Sequence, residues 1–172
     1  FKRNSVVLAG KPVRDRKLSA LTHSWSDLSE LADYVLVEAD GAKGLPLKAP
    51  AAHEPVIPPE TKLVIALAGL DGIGQPIKVC VHRPLLYAKL VNKRITDRVT
   101  AQDVATVLQH PEGQKKAVHC SYLIVLNKAD SPERLSAAAD VLTHLKEQAV
   151  VTAFSQKNPI IRIAGGINHD YY

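Results

Sequence analysis

Two carboxylates, Glu38 and Asp40, stand two residues apart after a short apolar run, residues 34–37 (YVLV). The run is β-branched and aromatic, the pattern of a buried strand. Side chains two apart on a strand share a face, so the pair is expected to point the same way. Like charges so placed repel unless a cation lies between them. Mg²⁺ would answer that demand, since it takes carboxylates together with substrate phosphates. A lysine ammonium would answer it too, and the sequence does not choose. Glu38 and Asp40 are therefore candidate metal ligands and candidate catalytic groups for positioning water. Lys43 and Lys48, beside Gly41 and Gly44, could bring charge and open backbone to an anion. Arg83 follows a glycine-rich turn and could hold a phosphate bidentately, with a surface ion pair as the plainer alternative. His53 and Glu54 could serve as metal ligand and base. A hydrogen-bonded structural role is the commoner one for an isolated histidine, and it is the reading for His110 and His119 as well.

The sharpest short motif is Asn127–Lys128–Ala129–Asp130, at the end of a second apolar run. It resembles the guanine-recognition motif of GTPases. There the aspartate accepts both N–H donors of the guanine edge, the asparagine supports the base, and the lysine stem lies over the ring. Adenine lacks that donor pair, which is how such a corner discriminates. Asp130 could instead cap the following helix. Pro132, suited to the first helical position, makes Ser131 the cap and leaves Asp130 free. Asp71, in a glycine turn, reads as a turn former.

The elements that must position these groups alternate. Strands are expected at residues 5–9, 34–37, 62–68, 122–126, 150–154 and 160–164. Helices are expected at 26–32, 85–91, 101–108 and from 132 onward, with a short helical or irregular segment at 17–21. Thr100 with Asp103 forms a capping-box start, and Ser131–Pro132 opens the longest helix. Such alternation implies an α/β fold, a mostly parallel sheet flanked by helices. Pro46, Pro50, Pro55, Pro58 and Pro59 stiffen the long loop after the first carboxylates. Gly165 and Gly166 loosen the tail.

The 172 residues suit a single α/β domain. The apolar fraction of 46% and charged fraction of 23% are ordinary for a soluble globular protein. Net charge is +5, but the lysines and arginines are scattered, which argues against a nucleic-acid stripe. Aromatics at 5% are too few for base-stacking platforms. Cys80 and Cys120 lack metal-site spacing. The sequence has no methionine, so Phe1 is not a translational start, and residues upstream of it are expected to have been removed or to lie outside this chain.

The succession VLVEADGAKGLPLKAPAAHEPVIP, GLDGIGQPI, HRP, HPEG and VLNKAD resembles the YqeC family, accessory proteins of selenium-dependent molybdenum hydroxylases. The resemblance implies a P-loop NTPase-like core, a cytoplasmic location, and a part in maturing a molybdenum enzyme. It puts Glu38 and Asp40 at the metal-proximal strand end, and Asn127, Lys128 and Asp130 at the base corner of a GTP-like nucleotide. It also implies a GAGGKT-like loop on a first strand, which this sequence lacks. On that resemblance the chain is expected to be the C-terminal part of a longer protein, its core lacking the first strand and holding phosphates weakly. The alternative is a non-catalytic chaperone or binding module for molybdenum cofactor or apo-enzyme. A transferase acting on a nucleotide-linked pterin is a third possibility.

Overall fold

The structure, a computed structural model, describes residues 6–12, 18–19 and 25–165. The chain divides into two compact units, Phe1–Val37 and Glu38–Tyr172.

In the first unit, β1 (Lys11–Pro12) pairs antiparallel with β2 (Leu18–Ser19), and α1 spans Trp25–Leu31. The helix begins one residue before the expected start. Two expected strands do not form. Residues 6–9, the described part of the first, lie outside any strand and are exposed. Residues 34–37 also form no strand, and Tyr34 and Leu36 are almost fully exposed. Their composition favours extended backbone, but a strand needs a neighbour to take its N–H and C=O groups. Among the described residues none pairs with either run. Glu38 and Asp40 thus follow irregular chain, and the shared-strand-face argument for them does not apply. Of the segment expected at 17–21, only β2 is described; Gly166 lies outside the described residues.

The second unit carries the sheet. Its strands are β4 (Leu63–Gly69), β6 (Ser121–Asn127), β7 (Ala149–Thr152) and β8 (Ile160–Ala164), hydrogen-bonded in that order. The first three are parallel and β8 is antiparallel. A smaller parallel pair joins β3 (Leu47–Lys48) to β5 (Val81–His82). The helices are α2 (Ile77–Cys80), α3 (Pro84–Leu90), α4 (Ala101–Gln109) and α5 (Pro132–His144). The expected mostly parallel α/β sheet with flanking helices is what forms.

Local chemistry explains the helix starts. Thr100 Oγ1 accepts from the Asp103 amide at 3.2 Å, and the Thr100 amide donates to Asp103 Oδ2 at 2.8 Å, a closed capping box. Ser131 caps α5, with Pro132 at its first position. Alternation along the strands then sorts the side chains. Ala66, Ala68, Ile124, Leu126 and Val151 bury with Val104 and Leu108 of α4 and Ala138 and Val141 of α5. The intervening Leu63, Ile65 and Leu67 are exposed, with Leu67 at 58%. Parallel sheets are ordinarily covered on both faces, so this apolar face is unusual.

In register, Gly69 stands opposite Asn127, and Leu126 opposite Val151. The carboxyl ends of β4, β6 and β7 therefore form one rim. The proline-rich loop is tied to it: the Gly69 amide donates to Pro46 O at 2.9 Å. Gly69 allows the approach, since a Cβ there would stand 2.8 Å from Pro46 Cβ.

Candidate functional site

Two clusters hold the residues singled out from the sequence. The first lies in the loop. Lys48 is on β3, and its side chain is only 4% exposed. Its Nζ lies 2.9 Å from Asp40 Oδ2 and 2.8 Å from Glu54 Oε2, and donates to Gly41 O at 2.9 Å. Arg83 closes the cluster with a two-pronged contact, Nη1 to Glu54 Oε2 at 2.7 Å and Nη2 to Glu54 Oε1 at 2.6 Å. Arg83 reaches it from the left-handed residue before α3, φ 63°. Burial alone would raise the Glu54 carboxyl. Hydrogen bonds from Lys48 and Arg83 and from the Ala51 amide outweigh burial and hold it at about 2. His82, on β5, is pushed down by burial and by the charges of Arg83, Lys43 and Lys48, so its imidazole stays neutral more readily than usual.

The segment after α4 braces this loop. Gln114 Nε2 donates to Lys48 O at 3.0 Å, and Lys116 Nζ donates to Ala51 O at 3.0 Å and Ala52 O at 2.8 Å. Lys43 and Glu38 remain exposed. His53 is 78% exposed, 3.8 Å from the carboxylate that Lys48 and Arg83 already hold. His110 Nδ1 accepts from the Glu112 amide at 3.0 Å, and His119 Nδ1 lies 3.1 Å from Ala117 O. Both are bonded to backbone, as expected.

The second cluster is the carboxyl rim. Asn127 ends β6, and its Oδ1 accepts from the buried Thr152 hydroxyl at 3.0 Å. Lys128 has a left-handed backbone, φ 68°, and its Nζ donates to Asp71 Oδ2 at 2.7 Å. Asp130 accepts from the Ser155 hydroxyl, and its Oδ2 lies 3.7 Å from Arg134 Nη1. Asp130 is nonetheless 31% exposed and takes no part in capping α5. The rim thus brings Asn127, Lys128 and Asp130 together.

A family model described as YqeC protein matches residues 1–85. A relative from Escherichia coli (strain K12), described as uncharacterized protein YqeC, is 31% identical over 135 residues. That stretch is 75% of this chain and 53% of the relative. The chain belongs to the YqeC family. It spans about half the length of the relative it matches. No solved structure matches it. The YqeC model covers every member of the Lys48 cluster and ends before the Asn127 corner.

Three partners of this YqeC chain's rim escaped the sequence reading: Thr152, Ser155 and Arg134. Thr152 and Ser155 are each 25 residues from the group they hold, and nothing in their local sequence marks them. Asp71 was legible only as a turn former, because Lys128 is 57 residues away. Metal binding meets a physical obstacle. The cation beside Asp40 is the Lys48 ammonium, and among the described residues no three His, Cys, Asp or Glu side chains converge to hold an ion. Mg²⁺ on Glu38 and Asp40 would have to displace that ammonium, so the residues as arranged do not fit it. Among the described residues no helix is long and apolar enough to cross a membrane.

Proposed function

We propose that this chain is the base-binding part of a nucleotide-binding YqeC protein, with Asn127 and Asp130 reading a guanine edge. One observation carries the reading: Asp130 stands exposed on the rim of a parallel sheet while Ser131 does the capping. Carboxyl ends of parallel strands are where α/β sheets take ligands. Asp130 offers acceptors and Asn127, through its amide nitrogen, a donor, the set that suits guanine and not adenine.

The reading extends to a P-loop NTPase-like core that lacks a strand. Among the described residues, 34–37 have no strand partner and β4 pairs with a strand on one side only. A phosphate-binding first strand beside β4 would answer the second of these. Hydrolysis of GTP, with Mg²⁺, would then belong to a longer protein. In this chain Lys48 and Arg83 are neutralised by Asp40 and Glu54, so phosphate affinity should be weak. The physiological setting suggested by the family resemblance is maturation of a selenium-dependent molybdenum hydroxylase in the cytoplasm.

Calorimetric titration of the chain with GTP and ATP tests the base reading. GTP should bind at least about tenfold more tightly, and Asp130→Ala should erase the difference. Equal affinities, or an Asp130→Ala variant that keeps the preference, would overturn it. A second reading, a non-catalytic binding module, is favoured by the internal pairing of Asp40, Lys48, Glu54 and Arg83. Turnover of GTP by a chain extended upstream would refute that alternative.

A further inference from the structure

The rim contains a costly arrangement that stability does not explain. Asp71 lies in the 3₁₀ turn Leu70–Gly72, directly after β4. Lys128 follows β6, and the two are joined at 2.7 Å across the rung where Gly69 faces Asn127. The pair is partly exposed, 44% for Lys128 and 26% for Asp71, and exposed ion pairs add little to folding. Yet the chain accepts two penalties there. Asp71 Oδ1 is buried with no hydrogen-bond donor. Lys128 holds a left-handed backbone that a lysine rarely adopts. Room for the carboxylate depends on Gly69, whose Cβ, if present, would stand 2.6 Å from Asp71 Oδ1. Arg134 Nη1 also donates to Lys128 O at 3.4 Å, fixing the backbone from the other side.

We propose that Asp71 is a positioning residue for the base corner, one that decides what class of ligand the corner takes. By pairing with Lys128 it cancels the ammonium charge and draws the methylene stem along the rim between β4 and β6. The corner then offers an apolar stem beside Asn127 and Asp130, a setting for a neutral heterocyclic ring and not for an anion. This rests on the base-binding reading above, and deepens it by assigning a role to a residue from a different strand.

The experiment combines a readout of the pair with a readout of the ligand. Lysines are acylated briefly in the intact chain and their extents compared by peptide mass spectrometry, with the exposed Lys78 and Lys89 as references. Asp71→Asn should raise Lys128 acylation about two- to fivefold relative to those references. In the same variant guanosine should bind about tenfold more weakly, and inorganic phosphate, without effect on the unmutated chain, should compete. Unchanged acylation would overturn the inference. Raised acylation with guanosine and phosphate binding unchanged would overturn the positioning role while leaving base binding intact. If the unmutated chain binds no guanosine although acylation responds, it is the base-binding reading that fails, and the role built on it falls too. Should Asp71→Asn not fold, Asp71→Ser removes the same carboxylate and is read by the same labelling and titrations.

Discussion

The loop cluster and the rim use the same ingredients, lysine, arginine and carboxylate, to opposite ends. Around Lys48 the charges are multiply paired about a buried centre: the ammonium side chain is 4% exposed and touches two carboxylates, and Arg83, 24% exposed, grips Glu54 with both prongs. Around Asp130 the side chains are a quarter to nearly a half exposed, and the partners are single contacts or a distant guanidinium. Buried ions need complete pairing because the interior does not solvate them. Exposed ones can exchange a partner for a ligand at little cost. On the proposed reading, the difference separates a fastening from a base-binding corner. The cluster that looked most catalytic in the sequence is internally paired and ties down the proline-rich loop, whereas the rim keeps its charged groups more exposed.

The contrast can be broken most directly at Lys48. Lys48→Met should leave Asp40 without its cation while Glu54 keeps Arg83, and lower stability by about 3–5 kcal/mol in urea unfolding. A loss below about 1 kcal/mol would mean the cluster is wet and loose, and the distinction from the rim would vanish. Arg83→Lys should cost less, about 1.5–3 kcal/mol, because one ammonium cannot reproduce the two-pronged contact.

Acid should separate the regions as well. Glu54 is held at about 2 in the folded chain against an ordinary 4.5, so its contribution is full above pH 4.5 and is lost as pH falls from there toward 2. Unfolding midpoints measured across that window should fall, and Glu54→Gln should flatten this part of the slope. At the rim, Ser155→Ala should change stability by no more than about 0.5 kcal/mol, the ordinary size for an exposed position. A larger effect would place the rim among the fastenings.

Much of this architecture was legible from local pattern. The apolar runs of β4 and β6, the capping box at Thr100 and the Ser131–Pro132 start all state their structure within a few residues. Residues 34–37 carry an equally good strand pattern and form none, because pattern supplies faces but not a neighbour to pair with. The same limit governs the candidate site. That Lys48 is the cation beside Asp40, and that Thr152 orients Asn127, depends on contacts made between elements, and no spacing along the chain encodes them. Spacing alone leaves Mg²⁺ and a lysine equal candidates beside Asp40; a contact at 2.9 Å shows where the lysine goes.

The bare side of β4 has a practical corollary. Leu63, Ile65 and Leu67 place three greasy side chains in water along one strand. Water rejects such surface at about 25 cal/mol per Å², so anything oily that meets it gains by staying. Samples of this chain should therefore light up a hydrophobic-reporter dye while folded, and an Ile65→Thr exchange should dim that signal. Ligand titrations are best run dilute, where self-adhesion cannot masquerade as binding.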